Sequence, residues 1–189
     1  MKNKTSAKKP DADKVLALED ALLRLASGEN DALAVIYDNC RVSVYGFALS
    51  ILKNSHDAED VMQDAFVKVF SEADRYQPQG KPLAWILTIT RNLCLHRLRH
   101  TSRLLENEED WDRHADTAAE SENLLDSLVL REAMTVLSEE ERQIVVLHAL
   151  SDMKHRQIAE VMGMPLPTVL SKYSRAMKKL RNRLQGDDL

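Results

Sequence analysis

Near the carboxyl end of the chain, residues 138–184 read SEEERQIVVLHALSDMKHRQIAEVMGMPLPTVLSKYSRAMKKLRNRL. Ser138, followed three residues later by Glu141, forms a capping box, the sequence signature of a helix start. Gly163 separates two helical patterns at a place where a turn with positive φ favours glycine. Ala159 is small enough for the helices on either side of that turn to cross closely. The stretch therefore predicts a helix-turn-helix.

The second helix of this motif is predicted to begin at about Pro167, because proline suits the first turn of a helix. Its apolar side chains are predicted to face inward: Val169, Tyr173, Met177, Leu180 and Leu184. The other face carries polar and basic candidates for DNA contact: Thr168, Ser171, Lys172, Arg175, Lys178 and Lys179. Such a face can enter the major groove of DNA. The alternative is a helical hairpin whose basic face meets only solvent.

The composition of the 189 residues favours helices throughout. Glycine and proline supply only five residues each, while 44% of residues are apolar and 30% are charged, which excludes collagen-like and low-complexity chains. Two cysteines, Cys40 and Cys94, are too few for a disulfide framework and fit a reducing compartment. No apolar run approaches the roughly 18 residues of a membrane span, and no apolar signal segment follows the amino-terminal lysines. We therefore expect a cytoplasmic protein without membrane insertion.

The net charge of −4 conceals a separation of charge along the chain. Residues 104–126 contain nine acidic residues and one basic residue, whereas residues 150–185 contain eight basic and two acidic residues. A basic module behind an acidic connector indicates an anionic partner for that module. A solvated linker beside a solvated basic helix is the alternative.

Composition and periodicity divide the chain into four parts. They predict a disordered basic tail at 1–14, a helical domain at 15–100, a flexible acidic linker at 101–123 and a second helical domain at 124–185. Within the first domain, helices are predicted at about 14–26, 30–53, 57–75 and 82–100.

Two segments of the first domain resemble region 2 of the extracytoplasmic-function (ECF) group of bacterial sigma factors: DAEDVMQDAFVKVF at 57–70 and PLAWILTITRNLCLHRLRH at 82–100. Residues 131–184 resemble region 4 of the same family. The resemblance implies an all-α chain of two small domains that acts as a detachable RNA polymerase subunit, with no catalytic residues. In that family, region 2 binds the polymerase clamp and melts the −10 element, while region 4 binds the −35 element.

The resemblance also implies a docking surface for core polymerase on the 57–75 helix. Its apolar side chains are predicted to face inward: Val61, Ala65, Phe66, Val69 and Phe70. Its polar edge is expected to meet basic side chains of the clamp: Glu59, Asp60, Gln63 and Asp64. An ordinary solvated face is the alternative.

A loop and the helix after it are expected to recognise and melt the −10 element. The candidate residues are Tyr76, Lys81, Trp85, Thr88, Arg91, Asn92, His96, Arg97, Arg99 and Arg103. From Trp85 to Arg103, most of them recur every three or four residues and so share one helical face. An aromatic ring and guanidinium groups suit separated strands, because bases stack and phosphates need cations. Packing of Trp85 in the core is the alternative.

Some positions depart from the family pattern. The family often has a basic residue at the position of Thr88, an acid at that of His96, glycine at that of Pro167 and lysine at that of Leu170. The change at Leu170 removes one expected phosphate or base contact, so the preferred −35 sequence stays open. Core polymerase, promoter DNA and an anti-sigma protein are the expected partners, and no cofactor is expected.

Two other classes of protein remain alternatives. One is a helix-turn-helix regulator that binds duplex DNA as a dimer, and the other is a redox-responsive or metal-responsive protein built on the cysteines. On one helix, Cys94 and His96 point about 200° apart, so both cannot reach one metal ion. No metal site is therefore expected.

Overall fold

The computed structural model describes residues 12–105 and 134–185, which form seven α-helices and one 3₁₀ turn. In chain order these are α1 (Ala12–Ala26), α2 (Ala32–Leu52), α3 (Ser55–Glu72), the 3₁₀ turn (Ala73–Arg75), α4 (Pro82–Leu105), α5 (Glu139–Ser151), α6 (His155–Met162) and α7 (Leu166–Gln185). No strand occurs within these residues, and the all-α prediction is confirmed.

Residues 12–105 are called the first unit, and residues 134–185 the second unit. The helices of the first unit begin and end within a few residues of their predicted bounds. The helix α1 begins at Ala12, inside the predicted tail, and α4 continues to Leu105, beyond the predicted end at His100. The rest of the tail and of the acidic linker lies outside the described residues.

The helix α2 lies at the centre of the first unit. Its residues Ile36, Cys40, Val44 and Phe47 are fully buried, and it packs against α1, α3, α4 and α5. Because apolar side chains face several neighbours, α2 lacks the single apolar stripe of a surface helix. Its packing against α5 brings the two units into contact.

Inward-facing side chains of α3 follow the prediction with one exception. Val61, Ala65, Phe66 and Val69 are buried, but Phe70 is 46% exposed, so its predicted inward position was wrong. Phe70 comes one residue after Val69, which turns its side chain about 100° around the helix. The start of α3 is capped by the side chain of Asn54, which accepts a hydrogen bond from the Asp57 backbone at 2.9 Å.

The helix-turn-helix is present in the second unit. The Ser138 hydroxyl accepts a hydrogen bond from the Glu141 backbone at 3.3 Å, and the Ser138 backbone donates to the Glu141 carboxylate at 2.9 Å. Both bonds of the predicted capping box therefore form. Gly163 ends α6 with a φ of +64°, as the turn requires.

The inward face of α7 differs from its prediction. Val169, Ala176 and Leu180 are buried and Tyr173 is half-buried, whereas Met177 and Leu184 are 38% and 56% exposed. The repeat of 3.6 residues per turn places Ala176 on the buried face of α7, and Met177, the next residue, lies on the neighbouring face. Sequence reasoning chose the larger apolar side chain and was wrong there.

None of the helices within residues 12–105 and 134–185 combines the length and the apolar character needed to cross a membrane.

Replacing Ser138 with Ala is expected to lower the free energy of unfolding by about 1 kcal/mol, because α5 loses its amino-terminal cap. Urea denaturation followed by circular dichroism measures this change. Ser138→Thr is the matched control, because its hydroxyl keeps the cap. An equal loss in both variants would contradict the capping role.

Candidate nucleic-acid interface

A cleft lies where the loop at 76–81 meets the start of α4. Its volume is about 290 Å³, and four predicted residues line it: Tyr76, Lys81, Trp85 and Thr88. Arg75, Gln77 and Gln79 also line it, although sequence reasoning did not select them. The two glutamines belong to an irregular loop, where helical periodicity provides no signal.

Tyr76 and Trp85 form the inner wall of this cleft. Their ring centroids are 5.4 Å apart with the planes tilted by 60°. Tyr76 is only 7% exposed, so its ring supports the loop and has little free face. Burial, followed by the hydrogen bond and the charge of Glu19, raises the pKa of the Tyr76 phenol. Trp85 is half-buried against the core and also lines the cleft.

The second unit borders the same cleft through α6. The ammonium group of Lys81 lies 2.7 Å from a carboxylate oxygen of Glu160, and Val161 lines the cleft beside it. Both charged side chains are partly exposed, so the pair contributes about 0–1 kcal/mol. In this arrangement the Lys81 charge is neutralised by the second unit.

Beyond the cleft, α4 presents a row of polar side chains. Asn92, His96 and Arg99 are exposed, and Arg91 is half-buried. The side chain of Arg103 lies outside the described part of the chain. The predicted row from Thr88 to Arg99 is therefore on one accessible face.

Arg97 lies beside this row but is already paired. Its guanidinium is 2.5 Å from Asp57 and 2.9 Å from Asp60. Burial acts against the charged form, but the two carboxylates prevail and raise the pKa of Arg97. These pairs hold α4 against the first two turns of α3.

The ion pair between Asp60 and Arg97 separates Asp60 from the other three residues of the polar edge of α3. Glu59, Gln63 and Asp64 are exposed, whereas Asp60 is half-buried and holds Arg97. The three exposed residues form an accessible polar strip on α3 with two negative charges.

Cations on the predicted DNA face of α7 fall into two groups. Lys172 pairs with Glu140, and Lys179 pairs with Glu141 at 2.7 Å, both carboxylates being in the first turn of α5. Arg175 and Lys178 are exposed and have no carboxylate partner among the described residues. Ser171 is exposed and Thr168 half-buried near the start of the helix. This face can therefore offer Arg175 and Lys178 to phosphates.

A histidine cluster joins the three helices of the second unit. The rings of His148 and His155 stack with centroids 5.0 Å apart, and the edge of Tyr173 meets both rings. His148 Nδ1 lies 2.9 Å from the Met153 carbonyl oxygen. Burial and then the nearby His148 lower the pKa of His155, whose Nε2 is buried without a hydrogen-bond partner in the described residues. Sequence reasoning did not identify this cluster.

Both cysteines are fully buried. Burial raises the pKa of Cys40 and of Cys94 to about 12, which leaves both thiols protonated and weakly nucleophilic at neutral pH. Within the described ranges, no group of three or more His, Cys, Asp or Glu residues could hold a metal ion.

Comparison with protein families gives one match in each of the two units. Residues 36–104 match the family model of Sigma-70 region 2, and residues 127–180 match that of Sigma-70 region 4. Together the two matches span more than half of the chain.

Curated relatives and solved structures agree with these matches. The ECF RNA polymerase sigma factor SigK of Mycobacterium sp. (strain KMS) is 30% identical over 87% of this chain and 90% of its own length. SigW of Bacillus subtilis (strain 168) is 22% identical over 90% of this chain and 98% of its own length. CnrH, solved in complex with the cytosolic domain of CnrY, is 24% identical with a TM-score of 0.67 over 91% of this chain and 99% of CnrH. RpoE of Bartonella quintana, solved with the anti-sigma factor NepR, is 23% identical with a TM-score of 0.68 over 80% of this chain and 97% of RpoE.

Replacing both Arg175 and Lys178 with Ala is expected to weaken the salt dependence of duplex DNA binding. Each lost phosphate contact should reduce the slope of log K against log salt by about 0.9. Fluorescence anisotropy across a salt series measures the slope. Lys68→Ala is the control, because it removes a cation from α3, and an unchanged slope in the double variant would contradict the assigned face.

The second unit is expected to lose stability in mild acid. Because the folded-state pKa of His155 is below its ordinary value of 6.5, the unfolded chain binds more protons below that pH. This contribution to stability is complete above about pH 6.5 and is lost as the pH falls through the folded-state pKa. Urea denaturation at pH 7.5 and 5.5 measures it. His155→Gln should reduce the pH dependence, whereas the exposed-residue control His96→Gln should preserve it.

Proposed function

Because the chain belongs to the ECF RNA polymerase sigma factors, which are transcription initiation factors and not enzymes, we propose a division of labour between its two units. The loop at 76–81 and α4 recognise and melt the −10 element of the promoter. The edge of α3 docks on core polymerase, and α7 binds the −35 element as duplex DNA.

The observation that carries this proposal is the arrangement at the start of α4. Lys81, Trp85 and Thr88 meet at one cleft, and the exposed row of Asn92, His96 and Arg99 continues from it along the helix. A cleft with an aromatic wall can hold an unstacked base, while the row beyond it can follow the strand. Stacking in the cleft requires a base outside the duplex.

The energetics of strand opening assign a role to polymerase. Unstacking a base step costs a few kcal/mol, and one small domain has little binding energy with which to offset several steps. Docking of Glu59, Gln63 and Asp64 on basic side chains of the clamp would hold the separated strands in place. Asp60 would act differently, because its pairing with Arg97 at 2.9 Å fixes α4 against α3.

The contact between Lys81 and Glu160 implies a step before promoter binding. While the pair is formed, Lys81 cannot engage a phosphate, and α6 stands at one side of the cleft. We propose that the two units separate when the chain binds polymerase and a promoter. Separation breaks this partly exposed ion pair, which contributes little, but it also breaks the Lys53–Glu139 ion pair and exposes the apolar contact between α2 and α5. Binding to polymerase and promoter must therefore offset the loss of that apolar contact.

Control by an anti-sigma protein in the cytoplasm is a further part of the proposal. The solved relatives CnrH and RpoE, which share this fold, were each captured with a partner protein, CnrY and NepR respectively. An inhibitor that holds the two units together would keep Lys81 paired. The test is whether a co-purifying protein of the native host prevents transcription by the reconstituted complex.

Run-off transcription with purified core polymerase tests the whole proposal, and two variants test its parts. Asp64→Arg is expected to weaken polymerase association, because it places a cation against basic clamp side chains. Asp74→Arg is its matched control, because Asp74 is an exposed acid on the 3₁₀ turn outside the α3 edge. A core-binding assay measures both.

Trp85→Ala is expected to impair melting more than closed-complex formation, because it removes the aromatic wall of the cleft. Permanganate footprinting of −10 thymines measures melting, and a mobility-shift assay measures closed complexes. Full melting by this variant would assign Trp85 to the core alone. Efficient melting by the free chain without polymerase would contradict the proposed dependence on core enzyme.

A further inference from the structure

Glu19, a residue of α1, reaches the loop at 76–81 across 57 positions of sequence. One carboxylate oxygen, Oε1, accepts a hydrogen bond from the Tyr76 hydroxyl at 2.7 Å. The same oxygen accepts a second bond from the Gly80 backbone amide at 2.9 Å. Glu19 thus holds both ends of the loop at a single point.

The loop has few other means of fixing its shape. It contains Pro78, which has no amide hydrogen to donate, and Gly80, which has a φ of +68°. A Cβ at Gly80 would meet nothing within 4 Å, so the loop is open on that side. Hydrogen bonds to a charged acceptor are among the stronger ones in proteins, and this acceptor is half-buried.

The phenol of Tyr76 is suited to remain a donor in this arrangement. Burial and Glu19 raise its pKa, and the backbone amides of Gln79 and Lys81 offset only part of the rise. The hydroxyl is therefore protonated throughout the physiological range. Its ring packs against Trp85, so the position of Tyr76 is linked to the inner wall of the cleft.

We propose that Glu19 is a positioning residue for recognition of the −10 element. By holding Tyr76 and Gly80, its carboxylate sets the conformation of the loop and the direction in which Gln77 and Gln79 face the cleft. Discrimination among bases at the cleft depends on that conformation. This inference rests on the role of the loop proposed above.

The expected defect is a loss of selectivity rather than a uniform loss of activity. Without Glu19, the loop can adopt several conformations, so the cleft binds a correct base and an incorrect base with nearly equal affinity. Loss of hydrogen bonds to a charged group should reduce the preference for the correct base on the order of tenfold. Recognition of the −35 element by α7 should be unaffected.

The experiment uses the full chain with purified core polymerase. Run-off transcription is measured on a promoter that the unaltered complex selects, on derivatives with single −10 substitutions and on derivatives with single −35 substitutions. Glu19→Ala should lower the ratio of transcription from the selected promoter to transcription from its −10 derivatives about tenfold. The same ratio for the −35 derivatives should stay unchanged. Glu19→Gln should retain most of the −10 preferences, because its amide oxygen can still accept both hydrogen bonds. Asp20→Ala, the neighbouring exposed acid on α1, is the matched control.

Tyr76→Phe provides a second route to the same result. It removes one of the two donors without shortening the ring, and it should compress the −10 preferences as well. Combined with Glu19→Ala, it should add less than it does alone, because both changes release the hydrogen bond between Tyr76 and Glu19. Tyr76→Phe alone also tests the inference if Glu19→Ala fails to fold.

Three results would overturn this inference alone, and a fourth would overturn the proposed role of the loop as well. Unchanged −10 preferences in Glu19→Ala would show that the carboxylate does not set selectivity. Equal losses at −10 and −35 derivatives would indicate a general structural defect. A −10 defect in Glu19→Gln as large as that in Glu19→Ala would show that the two hydrogen bonds do not set selectivity. Absence of any −10 preference in the unaltered complex would instead overturn the proposed role of the loop, and this inference with it.

Discussion

The burial of α2 is the constraint on which the geometry of the first unit depends. Ile36, Val44 and Phe47 are fully buried, and each such side chain contributes about 1.5–3 kcal/mol through the hydrophobic effect. The helices around α2 must dock on it to achieve this burial. Docking of α1 brings Glu19 to the loop at 76–81, and docking of α4 turns Asn92 outward. The polar surfaces are thus positioned by apolar contacts that lie beneath them.

Features that depend on neighbouring residues could be predicted from the sequence. The capping box at Ser138 and the turn at Gly163 follow from local hydrogen bonding and backbone conformation, and both are present. Helical periodicity placed most apolar side chains correctly but failed at Phe70, Met177 and Leu184. At Phe70 and Met177, residue type favoured burial, while the rotation of the helix placed the side chain one residue past the buried face.

Pairings between distant residues could not be predicted, because they depend on how the helices dock. Arg97 was predicted to contact the separated strands because it adds positive charge beside the helical row, yet it is paired with Asp57 and Asp60 across two helices. Likewise, the acceptor for Tyr76 is 57 positions away in α1. Sequence shows which residues carry charge, but only the packed helices decide which of those charges meet each other.

Electrostatics in the second unit show why such pairings matter for DNA binding. The carboxylates at the start of α5 favour that helix, because they meet its positive end, but they would repel a nearby phosphate. Lys172 and Lys179 neutralise Glu140 and Glu141. Burial alone would raise the pKa of Glu141, yet the bonds from Lys179 and Ser138 lower it, so the pair stays ionised near neutral pH. Two of the four cations on the predicted DNA face of α7 thus stabilise the start of α5, whereas Arg175 and Lys178 are exposed and have no carboxylate partner among the described residues.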